Sequence, residues 1–182
     1  MSFNKVLESE RLLYKPLESS YCNDNYLQWL NNKEINRYMG LTEPYTKEQL
    51  MTYLIDVEKN ENILFWAVLI KEGERHIGNI KIDPVNHYHG LGEYGIMMGD
   101  QSTWGKGYAT EASKTIIDYC FKEEGLRKIT LGVVEENTSA VNLYKKLGFL
   151  TEGIYKKHGL WNGHYCDVLR MAIFNPDTNY EH

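Results

Sequence analysis

The chain has 182 residues, of which 42% are hydrophobic, so it can bury one substantial core, and we expect a single domain over residues 1–182. Its net charge of −5 argues against nucleic acid as a partner, and no apolar run approaches the ~20 residues of a membrane span. Its cysteines, Cys22, Cys120 and Cys166, lack metal-ligand spacing and indicate reduced thiols in a cytoplasmic protein.

Hydrophobic periodicity and turn residues predict the elements of the first half of the chain, in order: a strand at 11–16, an interrupted helix from 21 to about 39, a helix at 46–58, and a hairpin of strands at 63–70 and 76–83. Thr46 is the expected N-cap of the second helix. The hairpin is expected to turn at Glu72 and Gly73. Two imidazoles follow at His87 and His89, but no ligand partner at suitable spacing accompanies them, so no metal site is expected.

The most informative segment is the turn Trp104–Ala112, which follows a predicted strand at 93–99 and leads into a helix ending near Phe121. Its glycines let main-chain N–H groups approach a ligand, and the helix start adds a positive dipole end. Both features suit a diphosphate. The spacing matches neither a Walker A loop nor a dinucleotide-binding fingerprint. The alternative is a glycine turn that only lets the helix pack closely on a sheet.

The strand-then-helix order is repeated further along the chain. A strand at 128–134 is followed by a short helix with Asn137 as N-cap and Gly148 as the left-handed residue at its end. A final hairpin of strands at 151–160 and 165–174 turns at Asn162-Gly163, and 175–182 is a polar tail to a core of about 8–174. Helices do not separate most strands, so we expect a mixed α/β fold of the α+β kind with a largely antiparallel sheet.

With the glycine turn and the second strand–helix segment together, the chain resembles the GNAT superfamily of acetyl-CoA-dependent N-acetyltransferases. The resemblance extends from Glu10 to Phe174. Gly105–Ala109 resembles the family's acyl-CoA diphosphate turn. Asn137 and Leu143–Phe149 resemble its second motif, beside the pantetheine arm. The chain is similar to the branch that holds ribosomal-protein N-terminal, spermidine and amino-sugar acetyltransferases. One position departs from the family: Trp104 stands where a Gln or Arg is usual.

The resemblance implies a central mixed, largely antiparallel GNAT-like sheet flanked by helices, and acetyl-CoA as the acyl-donor cosubstrate. A primary amine would attack the thioester directly. The residues expected to bind the cofactor lie on the strand, the turn and the second motif: Met97, Met98, Gly105, Lys106, Gly107, Tyr108, Ala109, Thr110, Asn137 and Asn142. For Asn137 the alternative is a plain helix cap. For Lys106 and Asn142 it is a solvated side chain.

The resemblance also implies a proton donor and a proton acceptor. Tyr144 matches the motif tyrosine whose hydroxyl faces the cofactor sulfur and would protonate the departing thiolate. Its alternative is a core tyrosine, since it shares an apolar stripe with Ala140, Leu143 and Leu147. Glu93, which opens the strand facing the cofactor, is the candidate base. Its alternative is an exposed carboxylate at a strand end.

The early helices wall the acceptor pocket in this family, which makes Trp29, Arg37 and Tyr38 candidate acceptor-binding residues. That segment resembles branch members that acetylate nucleotide-linked amino sugars. In such an enzyme Arg37 could meet a phosphate, and Trp29 or Tyr38 could stack on a ring of the acceptor. Core packing by both aromatics and a surface arginine is the alternative. Trp161, beside the last turn, could line the pocket or a dimer contact.

The leading hypothesis is an N-acetyltransferase acting on a small-molecule or peptide primary amine. An amino sugar, nucleotide-linked or free, is the first acceptor considered, then a protein N-terminus and then a polyamine. A non-catalytic acyl-CoA-binding sensor that kept the cofactor clamp is the alternative from another class. Neither nucleic acid nor membrane is expected as a partner, and a homodimer is compatible with the sequence.

Overall fold

The computed structural model describes residues 5–40, 43–161 and 163–180. These residues form eight strands: β1 (Leu7–Glu8), β2 (Leu12–Pro16), β3 (Leu64–Ile70), β4 (Arg75–Asn86), β5 (Leu91–Met98), β6 (Lys128–Val134), β7 (Leu150–Trp161) and β8 (His164–Phe174). They also form four α-helices: α1 (Asp24–Asn31), α2 (Lys47–Lys59), α3 (Tyr108–Lys122) and α4 (Thr138–Leu147). None of the described helices has the length and apolar character needed to cross a bilayer.

The strands form a single sheet in the order β1-β2-β3-β4-β5-β6-β8-β7. Every neighbouring pair among the described strands is antiparallel except β5–β6, which is parallel. A parallel pair needs a long crossover connection, and α3 lies within the segment that joins β5 to β6. This arrangement confirms the predicted mixed fold with a largely antiparallel sheet.

The parallel pair separates partway along its length. Its pairing covers three positions, from Leu91 opposite Lys128 to Glu93 opposite Thr130. Beyond Glu93 the two strands continue to Met98 and Val134, and no pair joins them over these described residues. The sheet therefore opens between the carboxyl ends of β5 and β6, next to the segments that lead into α3 and α4.

Period-two alternation sends side chains to both faces of the sheet, where two separate cores form. On one face, α3 and α4 cover Tyr94 of β5 and Leu131 of β6. On the other, α1 and α2 cover Phe65 and Leu69 of β3, and Met97 of β5 packs against the same cluster. The opening between β5 and β6 therefore lies between two packed layers.

Local signals define the ends of the helices. Asn137 Oδ1 accepts the N–H of Ala140 at 3.3 Å, and Gly148 has a left-handed φ of 97°, so both predicted caps of α4 are confirmed. Thr46 caps α2 in a reciprocal capping box with Gln49. The last hairpin pairs Trp161 with His164 around a two-residue turn. Asn162 of that turn lies outside the described residues.

The first helix is shorter than predicted, because it ends at Asn31 and does not reach residue 39. Asn32 adopts an extended conformation, and its Oδ1 accepts the N–H of Glu34 at 2.9 Å. Such a side-chain bond to a nearby amide competes with the helical bond that would continue the turn. The segment after Asn32 is therefore a series of turns that brings Arg37 and Tyr38 toward β6 and the last hairpin.

Candidate active site

The glycine turn offers a row of main-chain donors. Gly105 and Gly107 have φ values of 73° and 80°, which residues with a Cβ adopt with difficulty, and α3 begins directly after them at Tyr108. Over the part of the chain that the structure describes, no protein oxygen accepts a hydrogen bond from the amides of Gly105–Thr110. Unpaired amides at the positive end of a helix suit a diphosphate, so the expected acyl-CoA cosubstrate fits these residues.

Trp104 fixes the beginning of this turn instead of extending into it. Its indole Nε1 donates to the carbonyl oxygen of Met98, the last residue of β5, at 2.9 Å. Trp104, which stands where the family usually has Gln or Arg, therefore forms a hydrogen bond that connects the turn to the strand. The main chain of Met97 and Met98 also pairs with β4, opposite Asn79 and Gly78. A cofactor contact by these two methionines stays a prediction.

Tyr144 lies on α4 against the point where β5 and β6 separate. It is 8% exposed, and its ring meets that of Tyr94 edge-on at 5.8 Å between centroids. Tyr94 directly follows Glu93, the last β5 residue paired with β6. Burial raises the pKa of the Tyr144 hydroxyl to about 12, so the group is protonated at neutral pH. The phenol therefore has the protonation state that a proton donor requires.

Glu93 is ion-paired, which the sequence analysis did not anticipate. Its two carboxylate oxygens accept hydrogen bonds from Nη1 and Nη2 of Arg170, each at 2.7 Å, and Thr130 Oγ1 donates to Oε2 at 2.6 Å. Burial alone would raise the pKa of this carboxyl, but the Arg170 and Thr130 bonds outweigh it and lower the pKa. A carboxylate held this way is a weaker base than an isolated one, so a direct base role for Glu93 is less favoured.

A glycine lets Arg170 reach Glu93 across an intervening strand. Gly132 of β6 lies opposite Arg170 of β8, and a Cβ at Gly132 would stand 2.8 Å from Arg170 Nη1. The sequence carried a signal for this pair that we did not use. Gly132 interrupts one apolar strand and Arg170 interrupts another, and their opposition becomes visible once the register of β6 and β8 is known.

The second-motif asparagines have different surroundings. Asn137 uses its side-chain oxygen to cap α4, so its alternative role as a helix cap is confirmed, and any contact of its amide nitrogen with the cofactor stays a prediction. Asn142 is exposed on α4, and Lys106 is exposed in the turn. The carbonyl oxygen of Lys106 accepts a hydrogen bond from Arg11 at 2.9 Å. Arg11 is a residue near the site that the sequence analysis missed.

The structure brings three of the candidate acceptor residues together. The rings of Tyr38 and Trp161 lie 5.1 Å apart, and the Arg37 guanidinium carbon is 5.7 and 5.3 Å from their centroids. The Tyr38 hydroxyl donates to the main-chain oxygen of Glu136, just beyond β6, at 3.4 Å. The Glu136 carboxylate is 3.9 Å from His164 Nε2. This acceptor cluster, Arg37, Tyr38, Trp161, His164 and Glu136, adjoins the end of β6.

For Trp29 the structure favours the packing alternative, because this residue of α1 is only 8% exposed and belongs to the core between α1, α2 and the sheet. Its ring lies 4.8 Å from that of His76. It also lies so close to Gly99 that a Cβ there would come within 1.9 Å of the indole. A ring enclosed in this way offers little surface to an acceptor. Packing, the alternative considered for Trp29, is therefore the better account of this residue.

The chain matches one protein family and is similar to acetyltransferases of known structure. The acetyltransferase (GNAT) domain family matches residues 11–150. The spermidine N(1)-acetyltransferase of Escherichia coli K12 is 34% identical over 152 residues, which cover 84% of this chain and 80% of that protein. The structure of spermidine N-acetyltransferase from Vibrio cholerae with CoA and spermine is 28% identical, with a TM-score of 0.84, and the match covers 92% of this chain and 97% of that one. The ribosomal-protein-S5-alanine acetyltransferase of Vibrio fischeri shares the fold at 21% identity and a TM-score of 0.82, over 96% of this chain and 99% of that one.

Proposed function

We propose that this chain, which belongs to the acetyltransferase (GNAT) domain family, acetylates a polyamine of the spermidine class. The acyl-CoA-dependent N-acetyltransferase activity and the acetyl-CoA cosubstrate predicted from the sequence are confirmed by the family match and by the relatives. The coarse class of acceptor, an amine, agrees with those relatives as well. The identity of that amine is the part that we propose.

The similarity to the spermidine N(1)-acetyltransferase of E. coli carries the polyamine proposal. An amino sugar was the first acceptor expected from the sequence and a polyamine the third. The relatives give the amino sugar no support, so the polyamine replaces it as the proposed acceptor. At 21% identity, the V. fischeri protein supports the fold and says nothing about a protein N-terminus as acceptor.

The chemistry of the acceptor cluster is compatible with a polycation. The rings of Tyr38 and Trp161 already hold the guanidinium of Arg37, and aromatic faces that attract one cation also suit an alkylammonium group. The Glu136 carboxylate of the same cluster supplies a negative charge. A phosphorylated sugar would meet Arg37 favourably but would be repelled by this carboxylate. Arg37 would in turn repel a polycation, so the cluster does not distinguish the two acceptors, and the polyamine proposal rests on the relatives.

The reaction requires one proton to leave the ammonium group and another to reach the thiolate. An alkylammonium group has a pKa of about 10, so most of the amine is protonated at neutral pH. Acetyl-CoA supplies the acetyl group and a thiolate leaving group. Tyr144, protonated and buried beside the opening in the sheet, would donate to that sulfur. Glu93, charged and paired, would act most readily through a water molecule as proton acceptor.

Thiol release from acetyl-CoA with a panel of amines tests the proposal. The panel contains spermidine, spermine, a free and a nucleotide-linked amino sugar, and a peptide that begins with alanine. We expect kcat/KM for spermidine or spermine to exceed that for the other amines by at least about tenfold. A higher value for an amino sugar or the peptide would replace the proposed acceptor. Binding of CoA without thiol release for any amine would favour the sensor.

A further inference from the structure

Arg11, which directly precedes β2, contacts both the glycine turn and the first turn of α3. Its Nε donates to Glu111 Oε2 at 2.7 Å, and its main-chain N–H donates to Glu111 Oε1 at 2.8 Å. Its Nη1 donates to the carbonyl oxygen of Lys106 at 2.9 Å. The guanidinium also lies over the ring of Tyr108, 4.3 Å from its centroid. One side chain therefore contacts the turn, the first helical residue and the first turn of α3.

The bond to Lys106 fixes the direction of a neighbouring amide. The peptide between Lys106 and Gly107 is trans, so its C=O and N–H point to opposite sides. A carbonyl held toward Arg11 therefore directs the Gly107 N–H away from Arg11, toward the open side of the turn. Arg11 Nη2 would lie 3.5 Å from a Cβ at Gly107, which places the guanidinium directly against the back of this turn.

The bonds from Arg11 to Glu111 neutralise a negative charge near the expected diphosphate site. Glu111 lies in the first turn of α3, where its carboxylate would repel the diphosphate that the same helix end attracts. Arg11 neutralises it at contact distance, and Ser9 Oγ donates a further bond at 2.7 Å. The Glu111 side chain is 16% exposed, so this pairing is less screened by solvent than a surface ion pair.

We propose that Arg11 is a positioning residue for acetyl-CoA, which orients the amides of the glycine turn and neutralises Glu111 beside the diphosphate. The inference rests on the proposed acetyl transfer at this site. This role differs from a direct contact between Arg11 and a phosphate, because two of the Arg11 donors already bond protein oxygens. Loss of Arg11 therefore weakens binding of the diphosphate, while the groups that react at the thioester keep their places.

Steady-state kinetics of Arg11→Met with acetyl-CoA and the best amine test this role. We expect the KM for acetyl-CoA to rise about tenfold, because a charge-assisted bond is lost and a carboxylate is left unpaired. We expect kcat at saturation to stay within about twofold. With S-acetylpantetheine, which lacks the diphosphate, kcat/KM should be the same as for the wild type. Lys15→Met, which removes a cation of β2 that is also paired with a glutamate, is the matched control.

Two further variants separate positioning from a general loss of structure. Adding Glu111→Gln to Arg11→Met should recover part of the acetyl-CoA affinity, because the unpaired carboxylate is removed. Arg11→Lys, which keeps the charge but cannot bond the carbonyl and the carboxylate together, should raise the KM less than Arg11→Met. If Arg11→Met does not fold, Arg11→Lys and the double variant still test the proposal.

Equal losses with both acyl donors, or an unchanged KM for acetyl-CoA, would overturn the role of Arg11. Failure of the proposed function gives a different result, in which the wild type releases no thiol with any amine. In that case, calorimetric affinity for CoA in wild type and Arg11→Met still decides the positioning role. A tenfold loss of affinity would support it, and equal affinities would refute it.

Discussion

A buried phenol can protonate a leaving thiolate only if it carries its own proton at working pH. Tyr144 meets that condition, since a tyrosine keeps its proton at neutral pH with an ordinary pKa of 10, and burial raises the pKa of this hydroxyl further, to about 12. The same burial makes the ring part of the core, where it packs edge-on with Tyr94. The two interpretations of Tyr144 in the sequence analysis are therefore compatible. A substitution that keeps the ring and removes the hydroxyl separates them.

Tyr144→Phe should lower kcat by about 10²-fold or more, the usual contribution of a general acid, with little change in CoA affinity. A thiol-release assay measures kcat, and calorimetry with CoA measures the affinity. Tyr119→Phe is the matched control, because Tyr119 is also 8% exposed but bonds Glu124 just beyond the C-terminal end of α3. Equal turnover in Tyr144→Phe and wild type would exclude the hydroxyl as the donor.

The pair of Glu93 and Arg170 should make stability depend on acid pH. The folded-state pKa of Glu93 lies below the ordinary value of 4.5, because the bonds from Arg170 and Thr130 outweigh burial. A lowered carboxyl pKa stabilises the fold above pH 4.5, and the contribution is lost as pH falls through the lower folded pKa. The side chain of Glu93 is 34% exposed, so solvent reduces the effect.

Glu93→Gln should therefore lower the melting temperature by about 2–4 °C at pH 7, and the difference from wild type should shrink below pH 4. Thermal melts between pH 3 and pH 8 check this expectation. Arg170→Met should remove the same pH-dependent part of the stability. A difference in melting temperature between variant and wild type that does not change with pH would contradict the pairing. An unaltered pH–rate profile in Glu93→Gln would separately exclude Glu93 as the base.

At the scale of the elements, the glycine turn combines backbone strain with function. Gly105 has a φ of 73° and space around its Cβ position. Gly73, in the turn between β3 and β4, has a φ of 76° and equally open surroundings. An alanine at either position should therefore destabilise the fold by about 1 kcal/mol through its left-handed conformation. The two turns differ in what their amides are expected to bind.

Gly105→Ala should weaken CoA binding by about tenfold, because relief of the strain moves the amides that face the diphosphate. Gly73→Ala should leave CoA affinity unchanged at a similar loss of stability. Calorimetry and denaturant unfolding measure the two quantities for each variant. Equal CoA affinity in the two variants would show that the turn does not contribute its amides.

The elements with local signals were predictable, and those set by distant contacts were not. Asn137, Thr46 and Gly148 act on amides or dihedral angles within four residues, so their caps followed from the sequence. The end of α1 depended on an asparagine bond that competes with the helix. The separation of β5 from β6 is a property of strand pairing, which no single segment encodes.

At the scale of the whole molecule, the candidate site combines parts that lie far apart in the chain. Arg11 meets Glu111, and Glu93 meets Arg170, across the fold. These partners depend on sheet register and on the path of α3. The sequence therefore predicted Glu93 without Arg170, and it predicted neither Arg11 nor Glu111 as site residues. The motifs themselves were sufficient for the family and the cosubstrate. A homodimer and a cytoplasmic location stay predictions.

The central claim is that main-chain amides at the start of α3 bind the diphosphate of coenzyme A and place its sulfur beside Tyr144. Isothermal titration of the wild-type protein with CoA and with pantetheine, which lacks the diphosphate and the nucleotide attached to it, tests it most directly. We predict binding of CoA and an affinity for pantetheine that is lower by at least about 100-fold. Equal affinities for the two ligands, or no heat with millimolar CoA, would contradict it.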